Sequence, residues 1–146
     1  MLKLNFPSFE FKLKMRNNKT FIFDILRKNF FLLTPEEWVR QHVIHFLVLT
    51  QNISANHIGI EKKIVINKMT KRFDLVVFNN NGNAKLLIEC KAPSVKVDQK
   101  VFDQIAIYNK QLNSEFLMIT NGLSHHYFKS NNNSKSYTFI KDFPLY

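Results

Sequence analysis

The chain has 146 residues, 45% of them hydrophobic and 22% charged, which suits a folded domain with its own core and excludes a disordered chain. A formal charge of +10 points to an acidic partner, nucleic acid first, although a composition rich in Lys, Asn, Ile and Phe with 3 Gly also arises from AT-rich coding DNA. The lone Cys90 excludes an internal disulfide, and no apolar run approaches the roughly 18 residues of a membrane span; a cytoplasmic chain without membrane contact is expected.

The opening MLKLNFPSFEFKLK alternates and lacks the apolar core of a signal peptide. Residues 6–13 and 20–25 read as strands, a possible hairpin around Asn17-Asn18 within an N-terminal extension over 1–33. Thr34-Pro35-Glu36-Glu37 opens a helix: Thr34 as N-cap, Pro35 at the first position, Glu37 completing a capping box. The helix runs to Thr50 with Val39, Val43, Phe46 and Leu47 on its buried stripe. After a polar loop, residues 60–66, 73–78 and 85–91 read as three strands, the last two joined by the turn-forming NNNGN. Asp98 or a neighbour caps a second helix over 99–112, with Val101, Ile105, Tyr108 and Leu112 inward. Residues 115–120 form a further strand, and 126–129 and 137–140 two short ones around an Asn/Ser loop.

This order predicts one α/β domain over 1–146, a mixed sheet flanked by helices. The first three sheet strands should be antiparallel, and the crossover helix allows the fourth to return parallel.

A turn centred between Asn81 and Gly82 places Asp74 opposite Glu89, with Cβ atoms about 4.5–5.5 Å apart. Lys91 lies two residues beyond Glu89 and shares its face. Opposed carboxylates within apolar runs are costly unless compensated. A divalent cation, Mg²⁺ or Mn²⁺, would compensate them, and Lys91 would then orient or deprotonate an attacking water. The plainer reading is a Glu89–Lys91 salt bridge beside a solvated Asp74. Cys90 points to the opposite face as a small core residue. His42 and His45 lack further ligands nearby and read as surface or core; His125-His126 reads as a loop end. Lys62, Lys63, Lys68, Lys71 and Arg72 cluster at one connection, either to hold phosphates or as a solvated basic turn.

The strings TPEEWVRQ, RFDLVVF, LLIECKAP, FDQIAIYN and ITNG occur in this order. Together they resemble the N-terminal nuclease domain of type I restriction enzyme R subunits, more closely the small stand-alone proteins built on that domain. The resemblance implies the PD-(D/E)xK, restriction-endonuclease-like core. It maps the metal-binding acids onto Asp74 and Glu89 and the lysine onto Lys91. The family's Q-x-x-x-Y helix maps onto Gln104 and Tyr108; Tyr108 is read as a nucleic-acid contact or as core packing. For the family's first-helix glutamate, helical phase favours Glu36 over Glu37. No G-x-x-x-x-G-K-[ST] motif and no DNA-reading module occurs.

The expected function is Mg²⁺-dependent hydrolysis of phosphodiester bonds, most simply in DNA, with a protein partner supplying target choice. The alternative is a non-catalytic nucleic-acid-binding or partner-binding module on the same fold.

Overall fold

The computed structural model describes residues 1–131 and 133–144, with side chains other than those of Lys62, Ile64 and Ile66. Asn17 and Asn18 adopt φ of 54° and 63°, the left-handed pair that a tight hairpin turn needs. They join β1 (Leu13–Arg16) to β2 (Lys19–Asp24), and β3 (Asn29–Leu32) completes an antiparallel three-stranded sheet.

Residues 6–12 were expected to be strand and are not. Their rings pack on a helix instead: Phe11 lies with its ring centroid 4.7 Å from that of His42 and 4.5 Å from that of His45. Burying Phe6, Phe9 and Phe11 on α1 outweighs extending a solvated edge strand. β3 was not foreseen.

Helix α1 (Pro35–His45) starts where Thr34 Oγ1 accepts the Glu37 N–H at 3.0 Å. It passes into a wider π-type turn, Phe46–Thr50, closed by the Gln51 N–H on the Phe46 carbonyl at 2.9 Å.

The main sheet has six strands in sequence order: β4 (Ile58–Ile66), β5 (Met69–Phe78), β6 (Ala84–Cys90), β7 (Phe116–Thr120), β8 (His125–Asn131) and β9 (Ser136–Ile140). All neighbours are antiparallel except β6 and β7, whose parallel seam is bridged by α2 (Gln99–Leu112). Asp98 caps α2 through the Val101 N–H at 3.1 Å, and Asn113 ends it at φ 54°. The expected mixed α/β architecture is therefore present.

The helices cover opposite faces. Val39, Val43, Ile44 and Leu47 of the first helical segment pack with Leu75, Val77, Leu86, Ile88, Cys90 and Met118. Ile105 of α2 packs with Val76, Leu87, Leu117 and Ile119. The alternation along β5 to β7 sorts one set from the other.

The β5–β6 register is the expected one, Leu75 with Ile88, Val76 with Leu87, Val77 with Leu86. A bulge at Val77/Phe78 then shifts the pairing so that Phe78 meets Ala84. Asn79 Oδ1 accepts the N–H groups of Asn81 and Asn83 at 2.9 and 3.0 Å, and Gly82 takes φ 81°. The side-chain acceptor at Asn79 and the positive φ at Gly82 explain why this turn is built from Asn and Gly.

Candidate functional site

The β5–β6 ladder runs to the Leu75–Ile88 pair, and just beyond it the carboxyl groups of Asp74 and Glu89 lie within hydrogen-bonding reach of each other. Alternation puts Glu89 and Lys91 on the face of Leu87, and Asp74 on that of Val76. The neighbouring β4 is irregular at this level. Ile60 pairs with Leu75 and Lys62 with Phe73, while Glu61 between them takes φ 53° and leaves the ladder. Phe73 accordingly joins the α2 cluster although Leu75 lies in that of α1. Asp74 sits at this twist, within reach of groups from both faces.

Asp74 Oδ1 accepts from Arg40 Nη2 at 2.7 Å, and Oδ2 accepts the Cys90 N–H at 2.8 Å. The side chains of Asp74 and Glu89 are 15% and 14% exposed. Burial, reinforced by the hydrogen bond and the charge of Asp74, pushes the Glu89 carboxyl up to about 9. Lys91 Nζ, 3.8 Å from Glu89 Oε2, pulls the other way but loses to these effects. Burial and the neighbouring Asp74 thus both push the Glu89 carboxyl towards its neutral form.

Arg40 is the cation of the site. Its Nη2 donates to both Asp74 and Glu36, the latter at 3.0 Å, and its Nη1 to Glu37 at 2.6 Å. Burial disfavours the charged guanidinium, yet the charge and hydrogen bond of Asp74, with Glu37, hold it firmly protonated. Glu37 is braced in turn by Gln41 Nε2 at 2.9 Å and Arg27 Nη2 at 3.3 Å. Both donors also reach Asp24, Gln41 Nε2 at 2.9 Å and Arg27 Nε at 2.7 Å. Burial raises the Asp24 carboxyl, but the Arg27 N–H, Gln41 and Arg27 together bring it below its usual range. A polar chain thus runs from the N-terminal hairpin to Asp74.

Of the residues expected at the site, the structure gathers Asp74, Glu89 and Lys91, with Glu36 joined to Asp74 through Arg40. Helical phase misjudged the glutamates. Glu37 is buried at 6%, whereas the Glu36 side chain is 47% exposed. The capping box is only half made: Glu37 gives its N–H to Thr34 but turns its carboxylate inward to Arg40.

Gln104 and Tyr108 bond each other, Gln104 Nε2 donating to the phenol oxygen at 2.9 Å. Tyr108 lies against Phe73 at 6.1 Å between ring centroids, which is the core-packing alternative. Among the described residues no hydrogen bond links Gln104 to the carboxylates. Lys63 and Arg72 are exposed and opposed across β4 and β5, Arg72 with a carboxylate oxygen of Glu61 at 3.9 Å. The Lys62 side chain lies outside the described residues.

Cys90 is buried in the α1 cluster, as expected, and burial drives its thiol well above its ordinary range. His42 and His45 are core residues whose Nδ1 atoms each donate to a carbonyl one helical turn back, at 2.8 Å. His125 is no loop-end residue: it lies in β8, where Nε2 donates to the Asn5 carbonyl at 2.6 Å.

Sequence reasoning missed Arg40, Gln41, Asp24 and Arg27. A signal existed for Arg40, since Glu36 and Glu37 precede it by four and three residues and helix geometry lines all three up.

Among the described residues, no three His, Cys, Asp or Glu side chains are grouped so as to hold a metal ion. Two hard carboxylates on one face do fit a Mg²⁺-like cation, which takes one or two carboxylates and keeps several waters.

A mixed sheet between two helices, with opposed acids, an E-x-K strand and a buried arginine, defines an α/β module with one charged centre beside its parallel seam. Residues 35–144 match the family described as type I restriction enzyme R protein N terminus, and the chain belongs to that family. The comparisons with curated proteins and with solved structures each gave no match. Among the described residues no helix is long and apolar enough to cross a membrane. The family match begins with α1, so the hairpin bonded to Glu37 through Arg27 lies outside it.

Proposed function

We propose that this protein is a metal-dependent nuclease module of the PD-(D/E)xK type acting on DNA. The observation that carries the reading is the opposition of Asp74 and Glu89 with Lys91 beside them, in a chain of the restriction-enzyme R family. Asp74 and Glu89 would hold the cation, Mg²⁺ or Mn²⁺, after Glu89 gives up its proton. A cation there supplies Lewis-acid polarisation of the phosphodiester and eases ionisation of water. Arg40 and the Cys90 N–H fix the Asp74 carboxylate. Lys91 orients the attacking water and stabilises charge developing on phosphorus. Glu36, half in solvent and bonded to Arg40, supports the same corner.

The test uses purified protein with Mg²⁺ or Mn²⁺ on single- and double-stranded DNA and RNA. Metal-dependent cleavage is expected, and Lys91→Ala should lower it about 100-fold or more, the scale of losing one group that stabilises transition-state charge. Equal cutting by wild type and Lys91→Ala would overturn the reading.

One observation favours the second reading, a non-catalytic nucleic-acid or partner module: Arg40 already neutralises Asp74, and among the described residues no three His, Cys, Asp or Glu side chains are grouped so as to hold a metal ion. Calorimetric titration with Mn²⁺ separates the two. Binding by wild type that is lost in Asp74→Ala supports the nuclease; equal titrations support the module.

A further inference from the structure

The sheet face that carries Glu89 continues past α2 into a cavity of about 380 Å³. Its walls include Phe102, Ile119, His126, Phe128, Tyr137 and Phe139. The register connects it to the acidic centre. Glu89 pairs with Ile119 and Ile119 with His126, one straight line across β6, β7 and β8. One row further along, Leu87, Leu117, Phe128 and Phe139 form a second line on the same face. Strands lie about 4.8 Å apart, so the cavity opens about 10 Å from Glu89 across the sheet.

The walls are ring faces more than the core requires. Phe102 and Phe128 lie 4.6 Å apart between centroids, Phe102 and Tyr137 5.4 Å, Phe128 and Phe139 5.9 Å. Phe139 is 62% exposed, an aromatic held on a strand with most of its surface in water. Lys141, two residues on, is exposed as well. The one carboxylate on the rim, Asp98, is engaged in capping α2. An acid at the rim disfavours a phosphate inside, whereas a flat neutral ring can stack on the exposed Phe139 at the cavity edge. Sequence-independent binding of single strands works in this way, with bases on aromatic platforms and the backbone along a basic surface. The net charge of +10 suits that backbone.

We infer that this cavity stacks an unpaired nucleobase of the strand whose backbone lies over Asp74, Glu89 and Lys91, which makes single-stranded nucleic acid the preferred ligand. The inference rests on the nuclease-type reading for the position of the backbone, and it is tested by binding alone.

The affinity of a short fluorescein-labelled single-stranded DNA is measured in EDTA, so that cleavage plays no part. A single abasic position is moved along the oligonucleotide, and each is titrated against wild type, Phe139→Ala and Phe139→Leu. Leucine keeps apolar cover over Phe128 and removes the ring. Leu49→Ala, at an exposed residue distant in sequence, is the control. At one position, the abasic change is expected to weaken wild-type binding roughly tenfold, the size of one lost base stack. Both Phe139 variants should bind the intact strand that weakly already, and should lose nothing more at that position. Equal abasic penalties in wild type and variants, or no binding of single strands, would overturn the inference. Lys91→Ala cleavage is a separate readout, so failure of the nuclease reading is distinguishable from failure of the stacking site.

Discussion

Asn109 and Arg40 are both buried polar residues on helices, at 0% and 7% exposure, but their surroundings are built differently. Asn109 Nδ2 donates to the Ser114 carbonyl, Ser134 Oγ and Tyr137 Oη at 3.2, 3.3 and 3.0 Å, and Oδ1 accepts the Ser114 N–H at 2.8 Å. That group is neutral and satisfied, and it fastens the end of α2 to β9 and the turn before it. Around Arg40, one guanidinium faces Glu36, Glu37 and Asp74, burial and Asp74 push the Glu89 carboxyl towards its neutral form, and two buried atoms, Arg40 Nε and Gln41 Oε1, have no partner among the described residues. Satisfied polar networks specify a fold. Shifted acids and unpartnered polar atoms in one place mark a site where the fold has accepted a cost for something else.

The contrast can be broken most directly at Arg40. Arg40→Met leaves three acids without their cation and is expected to lose about 3–5 kcal/mol in urea unfolding at pH 7. Unchanged stability would mean that the acids relax into water and that the cluster is not held by this residue. Asn109→Ala should cost about 2 kcal/mol, from the Ser114 N–H and its neighbours left unbonded. It should leave metal titration and cleavage as in wild type; a change in either would show that the two clusters are not separate in function.

A third effect has the opposite sign. Glu89 holds its proton to about 9 in the folded chain against an ordinary value of 4.5. Between those values the unfolded chain binds fewer protons than the folded one, so this group's contribution falls as pH rises. Glu89→Gln is therefore expected to match wild type below pH 4.5 and to gain on wild type steadily as pH rises from there towards 8. Thermal unfolding across that range checks it; a gain that does not grow with pH would remove Glu89 as the protonated member of the pair.

The sequence reading succeeded where the determinant is local. Thr34 caps α1, Asp98 caps α2, the Asn17-Asn18 pair turns a hairpin, and the NNNGN turn sets the register that opposes Asp74 to Glu89. It failed where the partner is remote. Phe6 to Phe11 alternate like a strand, but their rings are claimed by histidines on α1. Glu37 has the spacing of a capping glutamate, but its carboxylate turns inward to Arg40 and Gln41 on its own helix and to Arg27 from the N-terminal hairpin. Arg40 meets Asp74 only once β5 is placed beneath α1, a contact 34 residues apart in the chain.

The parallel seam has a consequence for the order of assembly. Strands β4 to β6 pair through short turns, as do β7 to β9, so each half of the sheet can form by local encounter. Only the seam, where Leu86 meets Phe116, requires a long loop to close. Glu89 and Cys90 are on that seam, and Lys91 donates its N–H across it to the Thr120 carbonyl at 2.8 Å. The two halves are thus expected to gain amide protection before the seam does. A newly made chain would carry its two sheet halves first and acquire the complete acidic centre only in the step that finishes the fold.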